Sequence, residues 1–137
     1  MKKIKIQMEC PYCKAKAVLR PASMVYGRDL KEKGRYLYLC SNWPSCDAYV
    51  SAHKTSLLPM GTLANGDLRH KRILAHQALS TFQRHSHMDT WAVYLWLQMQ
   101  LNLSHEETHI GQFTVEQCDH VIKVCQQAQG APQLLLA

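Results

Sequence analysis

Four cysteines stand as two pairs, Cys10-x2-Cys13 and Cys40-x5-Cys46, with 26 residues between the pairs. No other feature limits the fold so severely. A close-spaced pair puts two sulfurs on one side of a point, and the second pair must bring two more from across a hairpin. Pro11 and Pro44 favour turns at both knuckles. A disulfide framework would need an exported chain, yet the basic start Met1–Ile6 is not followed by an apolar stretch. In a reducing compartment, paired cysteines point to metal, and zinc takes four thiolates in a tetrahedron. The spacing therefore predicts one structural Zn2+ held by Cys10, Cys13, Cys40 and Cys46. Four sulfurs leave no position for water, which argues against a catalytic metal. A ribbon of about 50 residues has little apolar core, and structural zinc can add on the order of 10–16 kcal/mol of folding energy. The site would carry a net charge of about −2, partly offset by Lys14 and Lys16 and by backbone N–H groups in the turns.

Around this frame the N-terminal part divides into short strands and turns. Ala17–Arg20 is a strand candidate, and Met24-Val25-Tyr26 is another, ended by Gly27. Arg35–Cys40 alternates tyrosine with leucine, which is strand periodicity. Tyr36 and Tyr38 should share one face, Leu37 and Leu39 the other. Pro59, Gly61, Asn65 and Gly66 break periodicity before a helical region begins. The expected fold is α+β: a small N-terminal β zinc ribbon over residues 1–56, followed by a three-helix domain over 57–137.

The three helices are predicted near 67–85, 89–102 and 114–129. Asp67 is the expected N-cap of the first, with Leu68, Leu74, Ala75, Ala78, Leu79 and Phe82 on its apolar side. Arg69, Arg72, His76 and Arg84 should face solvent. The second is apolar around almost its whole circumference, from Trp91 to Leu101, which predicts a central, buried helix. The third opens with Thr114 and Gln117 at capping-box spacing. Its stripe is Val115, Cys118, Val121, Ile122 and Cys125, and Gly130 with Pro132 should end it.

Charge divides the chain as the cysteines do. Residues 1–56 hold eleven Lys/Arg against four acids, whereas 57–137 hold five against six. A basic, metal-stapled half suggests a polyanionic partner, most simply nucleic acid. Single strands are bound by basic grooves whose aromatic rings stack on bases. The expected contact residues are Lys14, Lys16, Arg28, Arg35, Tyr36, Tyr38 and Trp43. A ribbon offers no long helix for a major groove, so single-stranded DNA is favoured over duplex reading.

The segments Cys10-Pro11-Tyr12-Cys13 and Gly34–Cys46 resemble the C-terminal zinc ribbons of type IA DNA topoisomerases. Those share Cys-Pro-x-Cys, a glycine and aromatic before the third cysteine, and then Cys-Ser-x-aromatic-Pro-x-Cys. The wide second knuckle is normal there; the long stretch between pairs suggests an extension at Met24–Lys33. The rest of the chain is similar to a family of small zinc-finger-containing proteins of phages and prophages. The matching stretches are Val25–Arg28, Pro59–Ala64, Leu68-Arg69, Tyr94–Leu97 and His109–Phe113. The resemblance implies a zinc ribbon with nucleic-acid contacts, and no reaction.

Two other functions compete with nucleic-acid binding. The near-neutral helical half, rich in Trp and Tyr, could be a protein-docking module, which a large exposed apolar patch would favour. Catalysis, with His109, Cys118 and His120 as a nucleophile or second metal site, lacks a carboxylate cluster, phosphate loop or nucleophile elbow, so no enzyme is expected. Trp91–Leu101 is too short to span a bilayer, which predicts a cytoplasmic protein without membrane contact.

Overall fold

The structure, a computed structural model, describes residues 7–27 and 34–136, the last seven of these through their backbone alone. It divides into two compact units, Met1–Asp67 and Leu68–Ala137.

The first unit is built on a three-stranded antiparallel sheet of order β1-β2-β3, with β1 at Ala17–Pro21, β2 at Tyr36–Cys40 and β3 at Tyr49–Ser51. The register pairs Ala17 with Cys40 and Pro21 with Tyr36 on one side of β2, and Leu39 with Tyr49 on the other. The tyrosine–leucine alternation of β2 is satisfied by burying both faces. Tyr38 and Cys40 pack with Cys10, Ala48, Ala52 and Leu63. Leu37 and Leu39 pack with Ala22 and Tyr49, closed over by Val25 and Trp43. Each buried large apolar side chain contributes about 1.5–3 kcal/mol, but few such residues exist in this unit.

Met24-Val25-Tyr26 is not a strand. It lies in α1 (Ser23–Tyr26), a single helical turn. The N–H groups of Val25 and Tyr26 both reach Ala22 O at 3.0 Å, and Gly27, at φ 87°, ends the turn. Packing of Val25 against Leu37 and Leu39 outweighs the strand preference of its composition.

The boundary expected after residue 56 moves to Asp67/Leu68. Segment 57–66 folds back on the sheet instead of linking two domains. Ala52 bridges Pro59 and Tyr49 bridges Ala64, Met60 N donates to Ser51 O at 2.8 Å, and Leu63 is buried in the sheet's core. Its proline and glycines shape a returning loop.

The second unit comprises most of α2 (Gly66–Ser86), then α3 (Thr90–Leu101), a 3-10 turn at Ile110–Gln112, and α4 (Val115–Leu136). Asp67 is not the N-cap of α2 but sits in its first turn, where a carboxylate suits the positive end of the helix dipole. Arg72 lies on the buried stripe with Leu68, Ala75, Leu79 and Phe82. Its Nε donates to Phe113 O at 3.1 Å, which satisfies a carbonyl at the end of the 3-10 turn. The Thr114 capping box forms as expected: Thr114 N donates to Gln117 Oε1 at 2.9 Å, and Gln117 N to Thr114 Oγ1 at 3.2 Å. A second box, Ser104 with Glu107, orders the loop after α3.

Two further expectations for the helices fail. α3 is not central: only Val93 and Leu97 are buried, while Trp91, Leu95 and Met99 are exposed. α4 continues past Gly130 and Pro132 to Leu136; stop residues are local preferences, not prohibitions. No helix among the described residues is long and apolar enough to cross a membrane.

Candidate metal centre

Each knuckle is a backbone device. In the first, Lys14 N bonds Cys10 O at 2.9 Å and Cys10 N bonds Ala15 O at 2.7 Å. To close it, Lys14 takes a left-handed φ of 68°, a conformation that costs a side chain about 1–2 kcal/mol. In the second, Trp43 N bonds Cys40 O at 2.9 Å and Cys46 N bonds Asn42 O at 3.1 Å. Ser41 N donates to Lys16 O at 2.9 Å, which ties the second knuckle to the entry of β1.

The sheet then brings the knuckles together. Antiparallel pairing sets Ala17 opposite Cys40, so the chain just after the first pair lies beside the start of the second. The four sulfurs lie within 4.8 Å of one another. Cys10 and Cys46 sulfurs are 3.6 Å apart, those of Cys13 and Cys40 3.3 Å. Thiolates bound to zinc at about 2.3 Å stand about 3.8 Å from each other in a tetrahedron, so this donor set fits zinc in both type and spacing.

Exposure is graded around the site. Cys10 and Cys40 are sealed, Cys46 is half-buried and Cys13 is open to solvent. The backbone N–H of Ala15, helped by Cys40 and Asn42, pulls the Cys13 thiol down to about 6. Burial pushes the Cys40 thiol up to about 12, against the opposing backbone N–H of Asn42. A buried sulfur of that kind is a ligand only when a cation supplies the charge that favours its thiolate. One structural zinc is therefore the cofactor that the centre fits.

The expected nucleic-acid residues do not form one surface. Lys14 and Lys16 are exposed at the metal end and line a groove of about 380 Å³ with Gln7, Met8, Glu9 and Ala17. Tyr36 is exposed but pairs with Pro21, at the opposite end of the sheet from Cys40. Arg35 is half-buried there. Tyr38 has to be removed from the set. It is 3% exposed, and its hydroxyl donates to Leu57 O at 2.6 Å, because the returning loop covers the face that the sequence pattern left open. Trp43 is half-buried against the Leu37–Leu39 face, and Arg28 lies outside the described residues.

Two residues carry no signal in the motif itself. Tyr12, at the tip of the first knuckle, is exposed and its hydroxyl accepts a bond from Asn65 N at 3.1 Å. Asn42 donates to a cysteine sulfur of the other knuckle. Only their positions between ligands could have marked them, since knuckle-tip side chains point out or cross over. As for a second site, His109 is exposed and Cys118 buried. Among the described residues, the four-cysteine cluster is the one group of three or more His, Cys, Asp or Glu placed to hold a metal.

A family model for a zinc-finger-containing domain matches residues 6–128. Neither the curated proteins nor the solved structures contain a match to this chain.

Proposed function

Because the chain belongs to this zinc-finger-containing family, we propose that it is a zinc-ribbon nucleic-acid-binding protein, with single-stranded DNA as the favoured ligand. The observation that carries this reading is the metal end of the ribbon, where Lys14 and Lys16 are exposed beside the knuckle tip that presents Tyr12. This end belongs to the half of the chain with eleven basic residues against four acidic ones. Lysines there would meet phosphates and Tyr12 would stack on a base, at about 1–3 kcal/mol per stacked base. In this proposal the knuckles work as the topoisomerase ribbons that their sequences resemble, in a phage or prophage setting. The metal in this proposal is structural, because cysteine sulfur fills all four positions of the tetrahedron, and the proposal assigns the protein no reaction.

Binding to phosphates releases counterions, so log affinity should fall linearly with log salt. A labelled single-stranded oligonucleotide titrated with zinc-loaded protein at several salt concentrations measures this slope. Replacing Lys14 by Gly and Lys16 by Gln should flatten it by about 0.7 for each phosphate that is no longer neutralised. No binding at low salt would reject the proposal.

A protein-docking module is the second reading, and α3 favours it. Trp91, Leu95 and Met99 form an exposed apolar stripe at four-residue spacing. Under this reading the ribbon is a staple and the stripe meets a partner protein.

A further inference from the structure

The metal centre has a fifth participant. We infer that Asn42 is a positioning residue for it, clamping the two knuckles and screening the charge of their sulfurs. Asn42 touches three of the four ligand residues. Its side-chain Nδ2 lies 3.4 Å from Cys13 Sγ, in the other knuckle. Its backbone N–H points to Cys40 Sγ at 3.5 Å. Its carbonyl oxygen accepts the N–H of Cys46 at 3.1 Å.

The chemistry favours an uncharged donor at this place, and an amide supplies one. Four thiolates around one divalent cation leave about −2 of charge spread over the sulfurs, and N–H donors aimed at sulfur offset it. Cys10 and Cys40 are shielded from water by burial, but Cys13 is exposed. Its sulfur is held against solvent competition only by the groups that bond to it. One of those is the backbone of its own knuckle, through Ala15; besides the fellow ligand Cys40, Asn42 is the side chain that reaches it from the opposite knuckle. Asparagine is short enough to span the gap, carries two N–H donors and adds no charge. Aspartate has the same shape but would turn an anionic oxygen toward the sulfurs.

That contrast makes the role testable. The full-length, zinc-loaded chain is compared with Asn42→Ala, Asn42→Asp and Asn42→Gln, using the neighbouring Ser41→Ala as a control. Zinc partition is read against a chromophoric chelator at one pH. Asn42→Ala should lose about 10–100-fold in zinc affinity, as supporting partners of ligands typically do. Asn42→Asp should lose at least as much despite its matching shape, Asn42→Gln should recover part of the loss, and Ser41→Ala should equal the parent. Unchanged partition in Asn42→Ala, or tighter binding by Asn42→Asp than by Asn42→Ala, would overturn the assignment. Should a variant load poorly, cobalt substitution reports on the loaded fraction alone. Loss of the donor should shift the sulfur-to-cobalt charge-transfer band, and a band identical to the parent's would equally overturn it.

Discussion

Lys14 carries two opposed demands. It closes the first knuckle at a φ of 68°, where a side chain costs about 1–2 kcal/mol and glycine costs nothing comparable. A position so strained invites glycine, yet it holds a lysine that is exposed next to the ligand Cys13. If stability alone set this residue, Lys14→Gly should be tolerated: relief of strain outweighs or balances the about 0.4–1 kcal/mol of extra freedom that glycine gives the unfolded chain. Chemical denaturation of the zinc-loaded variant should therefore show a midpoint at or above that of the parent. A clear drop would mean that the ammonium group itself supports the site. Arg72 makes the complementary point, for it is a charge inside the protein. Its guanidinium satisfies Phe113 O, a buried carbonyl that would otherwise cost about 1–3 kcal/mol.

At the scale of elements, α3 separates burial from composition. It is the most apolar helix of the chain, yet only Val93 and Leu97 are buried in it, with Trp96 stacked on Phe82 at 4.1 Å between ring centroids. Leu97→Ala should cost about 2–5 kcal/mol, as core truncations do, while Met99→Ala, at 74% exposure, should change stability by about 0.5 kcal/mol or less. Equal losses in urea melts would mean that the stripe is covered in solution. Periodicity cannot foresee this, because an all-round apolar pattern states what a helix could bury and not what is available to cover it. The same gap hides Tyr38, whose cover comes from a loop with no periodicity of its own. Arg72 falls on the apolar stripe at the right angle, but its charge argues for solvent until a buried carbonyl is known to wait for it. What the sequence does disclose is local or stoichiometric. The Thr114–Gln117 box is complete within four residues, and four cysteines in two knuckles admit few arrangements other than the one found. Asn42 stays hidden because its partner is 29 residues away across the sheet.

For the molecule as a whole, the two units rest on different foundations. The ribbon unit has a thin core: Leu37 and Leu63 are the largest of its fully buried side chains, followed in size by Cys10 and Cys40. Two of those four are metal ligands, so the packing at the metal end and the coordination are one structure. The helical unit has its own buried set, Val93, Leu97, Ile110, Phe113, Cys118 and Val121, and none of these belongs to the metal centre. Removing zinc takes away on the order of 10–16 kcal/mol from the first unit, as much as the about 5–15 kcal/mol by which whole domains are stable. Chelation should therefore unfold the ribbon and leave the helices standing. Amide exchange should show protection lost over β1, β2 and β3 but retained in α3 and α4, and the helical circular-dichroism signal should persist. Acidification should act in the same direction, because thiolates must bind protons to release the metal, so lower pH favours the free state. If α3 and α4 lost protection in step with the sheet, the helical unit would owe its fold to the metal as well. Membership of one family model spanning residues 6–128 would then reflect a single cooperative body and not a staple joined to an independent helical module.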